Sequence, residues 1–313
     1  MLIARRLPTV GTDRLAERCS IKEGGPSVTP EILAALAPGV EAIVAAPTVE
    51  VGEQLLQAAG PQLRVVANFG VGIDNVDLDE CRRRDVIVTN TPDVLTDATA
   101  ELALSLTLAA ARRSNEAEVD LRAGRWRGSD LDGYLGMELS GAIFGIVGMG
   151  RIGRRYAELV SGLAGEIVYT SRTRKTGAEP GLGAVRVELE ELLRRADVVS
   201  LHVPATPETA GMIGRRELAA MKPDAVLINT ARGSLVETAE LADALQNGAI
   251  AGAGLDVYED EPDVPDELLR APHCVLLPHI GSATTRARDA MALMVADNVL
   301  AALRGAEPPN RVA

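Results

Sequence analysis

Short runs of consecutive apolar residues alternate with helical stripes along the chain. Residues 1–8, 40–45, 63–67 and 86–89 form such runs. They read as strands covered on both faces, where alternation is lost. Helical patterns fall between them, at 30–36 beginning at a proline, at 51–59 before Gly60-Pro61, and at 77–84 with Asp77 as a candidate N-cap. Alternating strand and helix predicts a parallel sheet with helices on both faces. This describes a first, small α/β unit.

The next stretch differs. Thr96 to Arg113 is a long helix candidate in which Ala98, Ala100, Leu102, Ala103, Leu104, Leu106, Leu108 and Ala109 leave almost no polar face. Such a helix is expected to be buried on all sides, between domains or against another subunit. Residues 122–137, rich in Gly, Arg and Asp, read as loop. From Ala142 the alternation restarts, with strands predicted at 142–147, 166–170, 197–203, 225–229, 250–255 and 274–277. Ala283 to Arg304 reads as a final long helix, placed to return to the first unit.

The strand at 142–147 runs into Gly148-Met149-Gly150-Arg151-Ile152-Gly153, a G-x-G-x-x-G turn. The first glycine permits a tight turn, the second lets backbone approach a pyrophosphate, and the third lets helix pack on strand. The following helix offers free N–H groups and a positive dipole end to phosphate. Ile152, Tyr156, Leu159, Val160 and Leu163 share one face of it. Six strands with this turn after the first fit a doubly wound dinucleotide-binding fold.

Composition narrows the partners. With 44 acidic against 32 basic residues the net charge is −12, which argues against broad binding to nucleic acid or anionic membrane. Cys19, Cys81 and Cys274 are scattered and form no C-x-x-C pair, so neither a disulfide framework nor a zinc site is expected. The first residues look like a strand rather than a signal peptide, and no apolar run reaches membrane-spanning length. A cytoplasmic protein is expected.

The second strand of the nucleotide unit identifies the cofactor. A free ribose 2′-hydroxyl normally meets a carboxylate at this strand's end. Here the strand ends in Ser171-Arg172-Thr173-Arg174-Lys175. Hydroxyls and cations suit a 2′-phosphate, so NADP(H) is expected in preference to NAD(H), which stays possible.

Three later strand ends supply chemistry: Thr230-Ala231-Arg232-Gly233, Gly254 to Pro262, and Pro278-His279-Ile280-Gly281-Ser282. Ligands of open α/β sheets bind at such ends. Arg232 can bind the carboxylate of a 2-oxo acid and polarise its carbonyl. His279 can donate a proton as hydride reaches carbon. Glu261 can hydrogen-bond His279, fix its tautomer and favour its protonated form. His202 and His273 read as structural.

These stretches, together with Asn68-Phe69-Gly70-Val71-Gly72-Ile73-Asp74-Asn75 and Asn90 to Asp97, resemble the D-isomer-specific 2-hydroxyacid dehydrogenase family over nearly the whole chain, with glyoxylate/hydroxypyruvate reductases most alike. The resemblance implies two doubly wound parallel-sheet α/β domains. A Rossmann dinucleotide-binding domain would span 94–283, and a smaller flavodoxin-like substrate domain 1–93 and 284–313. It implies that backbone N–H groups of Val71 and Gly72 hold the substrate carboxylate, beside Arg232 and His279. Thr99, the turn from Gly148 to Gly153, Ser171, Arg172, Thr173, Val203, Pro204, Thr230, Ala231, Asp256 and Gly281 would contact the cofactor, Asp256 through the nicotinamide carboxamide. It also implies a homodimer, which the apolar helix at 96–113 suits, and no metal.

One departure bears on substrate. Family members often carry Trp and Pro in the loop before the nucleotide domain, where this chain has Asp130-Leu131-Asp132-Gly133-Tyr134-Leu135-Gly136. The activity expected is NADPH-dependent reduction of a small 2-oxo acid. The alternatives are a D-2-hydroxyacid dehydrogenase for a larger side chain, for which the lining near Ala46-Pro47-Thr48 would decide, and an NAD(H)-sensing, corepressor-like interaction protein.

Overall fold

The computed structural model describes residues 1–26, 28–128, 131–175 and 179–313, with only the backbone of 179–180. The chain divides into two units, Met1–Leu95 with Ser282–Ala313, and Thr96–Gly281.

The first unit holds a parallel sheet of β1 (Leu2–Ile3), β2 (Lys22–Glu23), β3 (Ala42–Ala45), β4 (Val65–Asn68) and β5 (Ile87–Thr89), in the order β2-β1-β3-β4-β5. This is the flavodoxin-like order. Its helices are α1 (Thr9–Ala16), α2 (Pro30–Leu36), α3 (Glu53–Ala59), α4 (Leu78–Arg83) and the last helix of the chain, α13 (Thr285–Leu303). Pro30 occupies the first turn of α2, where its missing N–H is no loss. The Asp77 carboxylate caps α4 by accepting from Glu80 N–H at 2.8 Å. Ile43, Val66 and Val88 from the strands pack with Leu33 and Leu56 from α2 and α3 in one core.

The helix α13 lies against α1 and β4 and buries Met291, Val295, Ala296 and Val299. Arg64 donates to the carbonyls of Leu303 (2.7 Å) and Ala302 (3.0 Å), serving the orphan acceptors at the end of α13. The segment after it pairs with β5: Val312 N–H donates to Val88 O (2.7 Å) and Val88 N–H to Ala313 O (2.8 Å).

The second unit is continuous. Its sheet holds β6 (Ile143–Val147), β7 (Glu166–Thr170), β8 (Val185–Arg186), β9 (Val198–Leu201), β10 (Val226–Asn229), β11 (Gly252–Leu255) and β12 (Cys274–Leu276), all parallel, in the order β12-β11-β10-β9-β6-β7-β8. Chain order reverses between β6 and β9, which opens a crevice at their carboxyl ends. The helices are α5 (Thr96–Ala111), α6 (Ser114–Arg122), α7 (Arg151–Val160), α8 (Glu179–Leu182), α9 (Leu189–Arg195), α10 (Arg215–Ala220), α11 (Thr238–Gln246) and α12 (Asp266–Arg270). Period-two alternation within the strands builds two cores. Phe144, Ile146, Val226 and Ile228 join Leu106 of α5 and Tyr156 of α7 in one; Val147, Val199 and Leu227 join Leu193, Leu218 and Leu241 in the other.

Two expectations need correction. The second sheet has seven strands, because the short edge strand β8 carries no apolar run. The first unit also contains α1 and β2, which the apolar pattern does not reveal. Within the single chain, Asp97, Glu101, Ser105 and Leu108 form an exposed stripe along α5. The stretch read as loop follows α6, and its residues 129 and 130 lie outside the described ones. No helix is long and apolar enough to cross a membrane, among the described residues.

Candidate active site

The glycine turn sits at the carboxyl end of β6. Gly148 has φ +100°, and a Cβ there would meet the His202 carbonyl carbon at 2.7 Å. Both facts require glycine. A Cβ on Gly153 would lie 2.1 Å from Gly148 O, so only glycine lets α7 approach the turn. Gly150 is different: its Cβ would meet nothing within 4 Å. It is the N-cap residue of α7 and supplies no side-chain cap, so nothing of its own occupies the space before the helix. Met149 is buried, Arg151 and Ile152 begin α7, and the Val203 side chain packs over Gly148. Open space, a close backbone and a helix N-terminus fit a pyrophosphate. At the end of β10, the Thr230 hydroxyl is buried and has no hydrogen-bond partner among the described residues, which also fits a polar ligand.

The end of β7 forms a pinned turn. Ser171 Oγ donates to Thr173 O at 2.7 Å, and Lys175 N–H donates to Tyr169 OH at 2.9 Å. Arg186 on β8 donates to Ser171 O at 3.1 Å through Nη2. Arg172 and Thr173 are exposed. Pro204 follows Val203, and its carbonyl accepts from the Thr209 hydroxyl at 2.8 Å.

The neighbouring ends of β10, β11 and β12 are tied together by backbone. Asp256 N–H donates to Asn229 O and His279 N–H to Asp256 O, each at 2.9 Å. Asn229 also clamps the segment beyond β10: its Oδ1 accepts from Ala231 N–H (3.0 Å) and its Nδ2 donates to Arg232 O (2.7 Å). Arg232 is half-buried, and its Nη1 donates to Ala231 O at 2.7 Å.

Asp256 is buried, and its carboxylate accepts from the N–H groups of Ile280 and Gly281, both at 2.7 Å. Burial pushes its pKa up to about 6 against those bonds. A Cβ on Gly281 would lie 3.2 Å from Asp256 Oδ2 and 3.5 Å from Thr99 Cγ2, so Thr99, Asp256 and Gly281 meet at one place.

Glu261 Oε1 accepts from Tyr258 N–H at 2.9 Å, and Oε2 lies 2.6 Å from His279 Nδ1. Burial opposes its charge, but the His279 hydrogen bond and charge, the Tyr258 N–H and the Arg232 charge outweigh it. The carboxyl is thus held below the usual carboxylate range. An ionised Glu261 only accepts, so Nδ1 of His279 carries the donated proton and Nε2 is left for chemistry.

Arg232, Glu261 and His279 therefore lie beyond adjacent strand ends, at the same carboxyl edge as the glycine turn, with β9 between β10 and β6. Val71 and Gly72 belong to the first unit, in the loop after β4. His202 and His273 hold structural partners. His202 Nε2 is 2.9 Å from Ser200 Oγ, and burial pushes its pKa down to about 3. His273 Nδ1 is 2.6 Å from Glu116. Asn229 carries a positioning role that the motif reading did not assign. An Asn directly after a buried apolar run was the available signal, since such side chains bond backbone two or three residues on.

A reversed-order parallel sheet with this glycine turn defines a dinucleotide-binding α/β fold. The chain belongs to the D-isomer-specific 2-hydroxyacid dehydrogenases: the model of that family's NAD binding domain matches residues 104–281. A glyoxylate reductase of Thermococcus litoralis is 50% identical over 277 residues, covering 87% of this chain and 83% of its own. One from Pyrococcus furiosus is 44% identical over 318 residues, covering 100% and 94%. Among solved structures, an NADPH-dependent glyoxylate/hydroxypyruvate reductase from Sinorhizobium meliloti, in complex with NADP and malonate, superposes with a TM-score of 0.87 at 37% identity, covering 100% and 96%.

Proposed function

We propose that this protein reduces small 2-oxo acids of the glyoxylate and hydroxypyruvate type to D-2-hydroxy acids, with NADPH as preferred reductant and NADH as a poorer one. The observation that carries the reading is the His279–Glu261 pair at 2.6 Å, set on the same sheet edge as Arg232 and the glycine turn. The names of the glyoxylate reductase relatives support the substrate class.

Residues 94–283 serve as the dinucleotide-binding domain, and 1–93 with 284–313 as the substrate domain. The turn Gly148, Met149, Gly150, Arg151, Ile152 and Gly153 holds the pyrophosphate. Val203 and Pro204 line the adenine side, Thr99, Thr230, Ala231 and Gly281 line the rest, and Asp256 receives the carboxamide. Ser171, Arg172 and Thr173 face the 2′-phosphate. When bound, the nicotinamide supplies the hydride.

The remaining steps belong to side chains of this chain. N–H groups of Val71 and Gly72 and the Arg232 guanidinium bind the substrate carboxylate, and Arg232 polarises the carbonyl. His279 Nε2 gives its proton to the carbonyl oxygen as negative charge develops there. Glu261 holds the ring in the tautomer that this transfer needs and stabilises its charged form.

A homodimer acting in the cytoplasm completes the proposal. Leu108, Val119, Leu121, Trp126, Leu131 and Leu135 are exposed around α5, α6 and the segment after them, which supports a covered face there. Light scattering at working concentration tests the assembly.

The activity is tested by steady-state kinetics on a panel of 2-oxo acids with both cofactors. Turnover of glyoxylate or hydroxypyruvate with a higher kcat/KM for NADPH is expected. No turnover on any acid would overturn the function, and an equal or higher kcat/KM with NADH the preference. Arg172→Asp should swing preference toward NADH.

A further inference from the structure

The loop after β4 has three consecutive carbonyls bonded inside the first unit. Gly70 O accepts from Thr91 N–H at 3.0 Å, Val71 O from Asn90 Nδ2 at 2.8 Å, and Gly72 O from Asn68 Nδ2 at 2.5 Å. The N–H groups of Val71, Gly72 and Ile73 donate to no group among the described residues. All these peptides are trans. In a planar trans peptide the C=O of one residue and the N–H of the next point in opposite directions. Each carbonyl bond therefore sets where the following N–H is aimed. Thr91 backbone fixes Val71 N–H, the Asn90 side chain fixes Gly72 N–H, and the Asn68 side chain fixes Ile73 N–H. Successive free N–H groups make an anion-binding concavity.

The amide of Asn68 is itself held. It is fully buried, and its Oδ1 accepts from Asn75 Nδ2 at 3.2 Å, which leaves its Nδ2 for Gly72 O. Asn75 Nδ2 also lies 3.1 Å from Ala46 O and 2.9 Å from Val49 O. Reversing the Asn75 amide would set its oxygen against three acceptors, so its direction is determined. One side chain thus joins the segment after β3 to the loop after β4.

We propose that Asn68, Asn75 and Asn90 are positioning residues for the substrate carboxylate, aiming Gly72 N–H and adding Ile73 N–H as a further backbone donor. This rests on the reading that the loop at 71–72 holds that carboxylate. The net touches no reacting atom; it acts through the peptide planes.

Asn90→Ala and Asn68→Asp test it, assayed with glyoxylate, NADPH and malonate as a dicarboxylate inhibitor. The KM for glyoxylate should rise about tenfold, as expected for losing one oriented donor to a charged group. The Ki of malonate should rise with it, while the KM for NADPH stays unchanged. A residue that merely stabilised the fold would move both KM values or neither. If the parent reduces glyoxylate and Asn90→Ala leaves its KM unchanged, the net has no positioning role and the activity stands. If the parent reduces no 2-oxo acid, the activity falls and the proposal with it. Should Asn68→Asp not fold, Asn90→Ala, at a half-buried position, decides alone.

Discussion

His279 Nδ1 and Glu261 Oε2 sit 2.6 Å apart although the two residues come from different strand ends. An ionised Glu261 accepts the proton that His279 Nδ1 carries, which leaves Nε2 for the proposed proton transfer. His279→Gln keeps a donor toward Glu261 but has no proton to transfer. Its kcat should fall by about 10²–10⁴-fold, with NADPH affinity little changed by fluorescence titration. Glu261→Gln removes the carboxylate that accepts from Nδ1 and fixes the tautomer, so its kcat should fall by about 10²-fold or more while NADPH affinity stays unchanged.

The glycine turn separates two kinds of requirement. Gly153→Ala sets a methyl against backbone and should lower Tm markedly, since neither neighbour can yield. Gly150→Ala meets only open space, and its backbone is one that alanine adopts. That variant should fold with an unchanged Tm, yet show a KM for NADPH raised at least about tenfold if the space belongs to pyrophosphate. A normal KM in Gly150→Ala would remove the turn from cofactor binding.

Stability toward acid should depend on His202. Its folded pKa of about 3 lies below that of an unfolded histidine, so the unfolded state binds the extra proton as pH falls. Its contribution is present above pH ~6.5 and is lost progressively down to the folded value, by at most about 1.4 kcal/mol per pH unit. His202→Gln should flatten denaturant midpoints over that range relative to the parent.

Asp256 has the opposite sign. Its folded pKa of about 6 exceeds that of a free carboxyl, so the folded state holds the proton longer. Stability from this group falls as pH rises from about 4 to 6. Asp256→Asn removes that dependence and leaves one of the N–H groups of Ile280 and Gly281 without an acceptor. Its midpoints should show less loss over that interval than the parent's. Because Ile280 and Gly281 are the two residues that follow His279, kcat should fall as well.

Much of this architecture was legible in the chain. Strands β3, β4, β6, β7, β9 and β10 are buried apolar runs of strand length, and Asp77 announced α4 as a cap should. What escaped had no apolar signal to give. The helix α1 buries only Gly11 and Leu15, and Gly11 is there because a Cβ would collide with Ala292 at 2.7 Å. A face built from glycine leaves no periodicity. The helix α6 buries nothing, while β2 and β8 are two-residue edge strands with exposed side chains. On α5 the apolar Leu108 is exposed within the single chain, and the sequence does not say which surface covers it. Within the site, residue types at strand ends were readable, but the clamps by Asn229 and Asn68 depend on which carbonyl each amide reaches.

The helix α13 packs on α1 and β4, yet all of residues 96–281 separate it from them in the chain. During synthesis the second unit is complete before α13 emerges. At ordinary elongation rates the face of β4 waits roughly tens of seconds for its cover. The unit translated first is therefore the unit finished last. Until then the nascent chain carries an uncovered apolar surface, the kind of surface on which chaperones act.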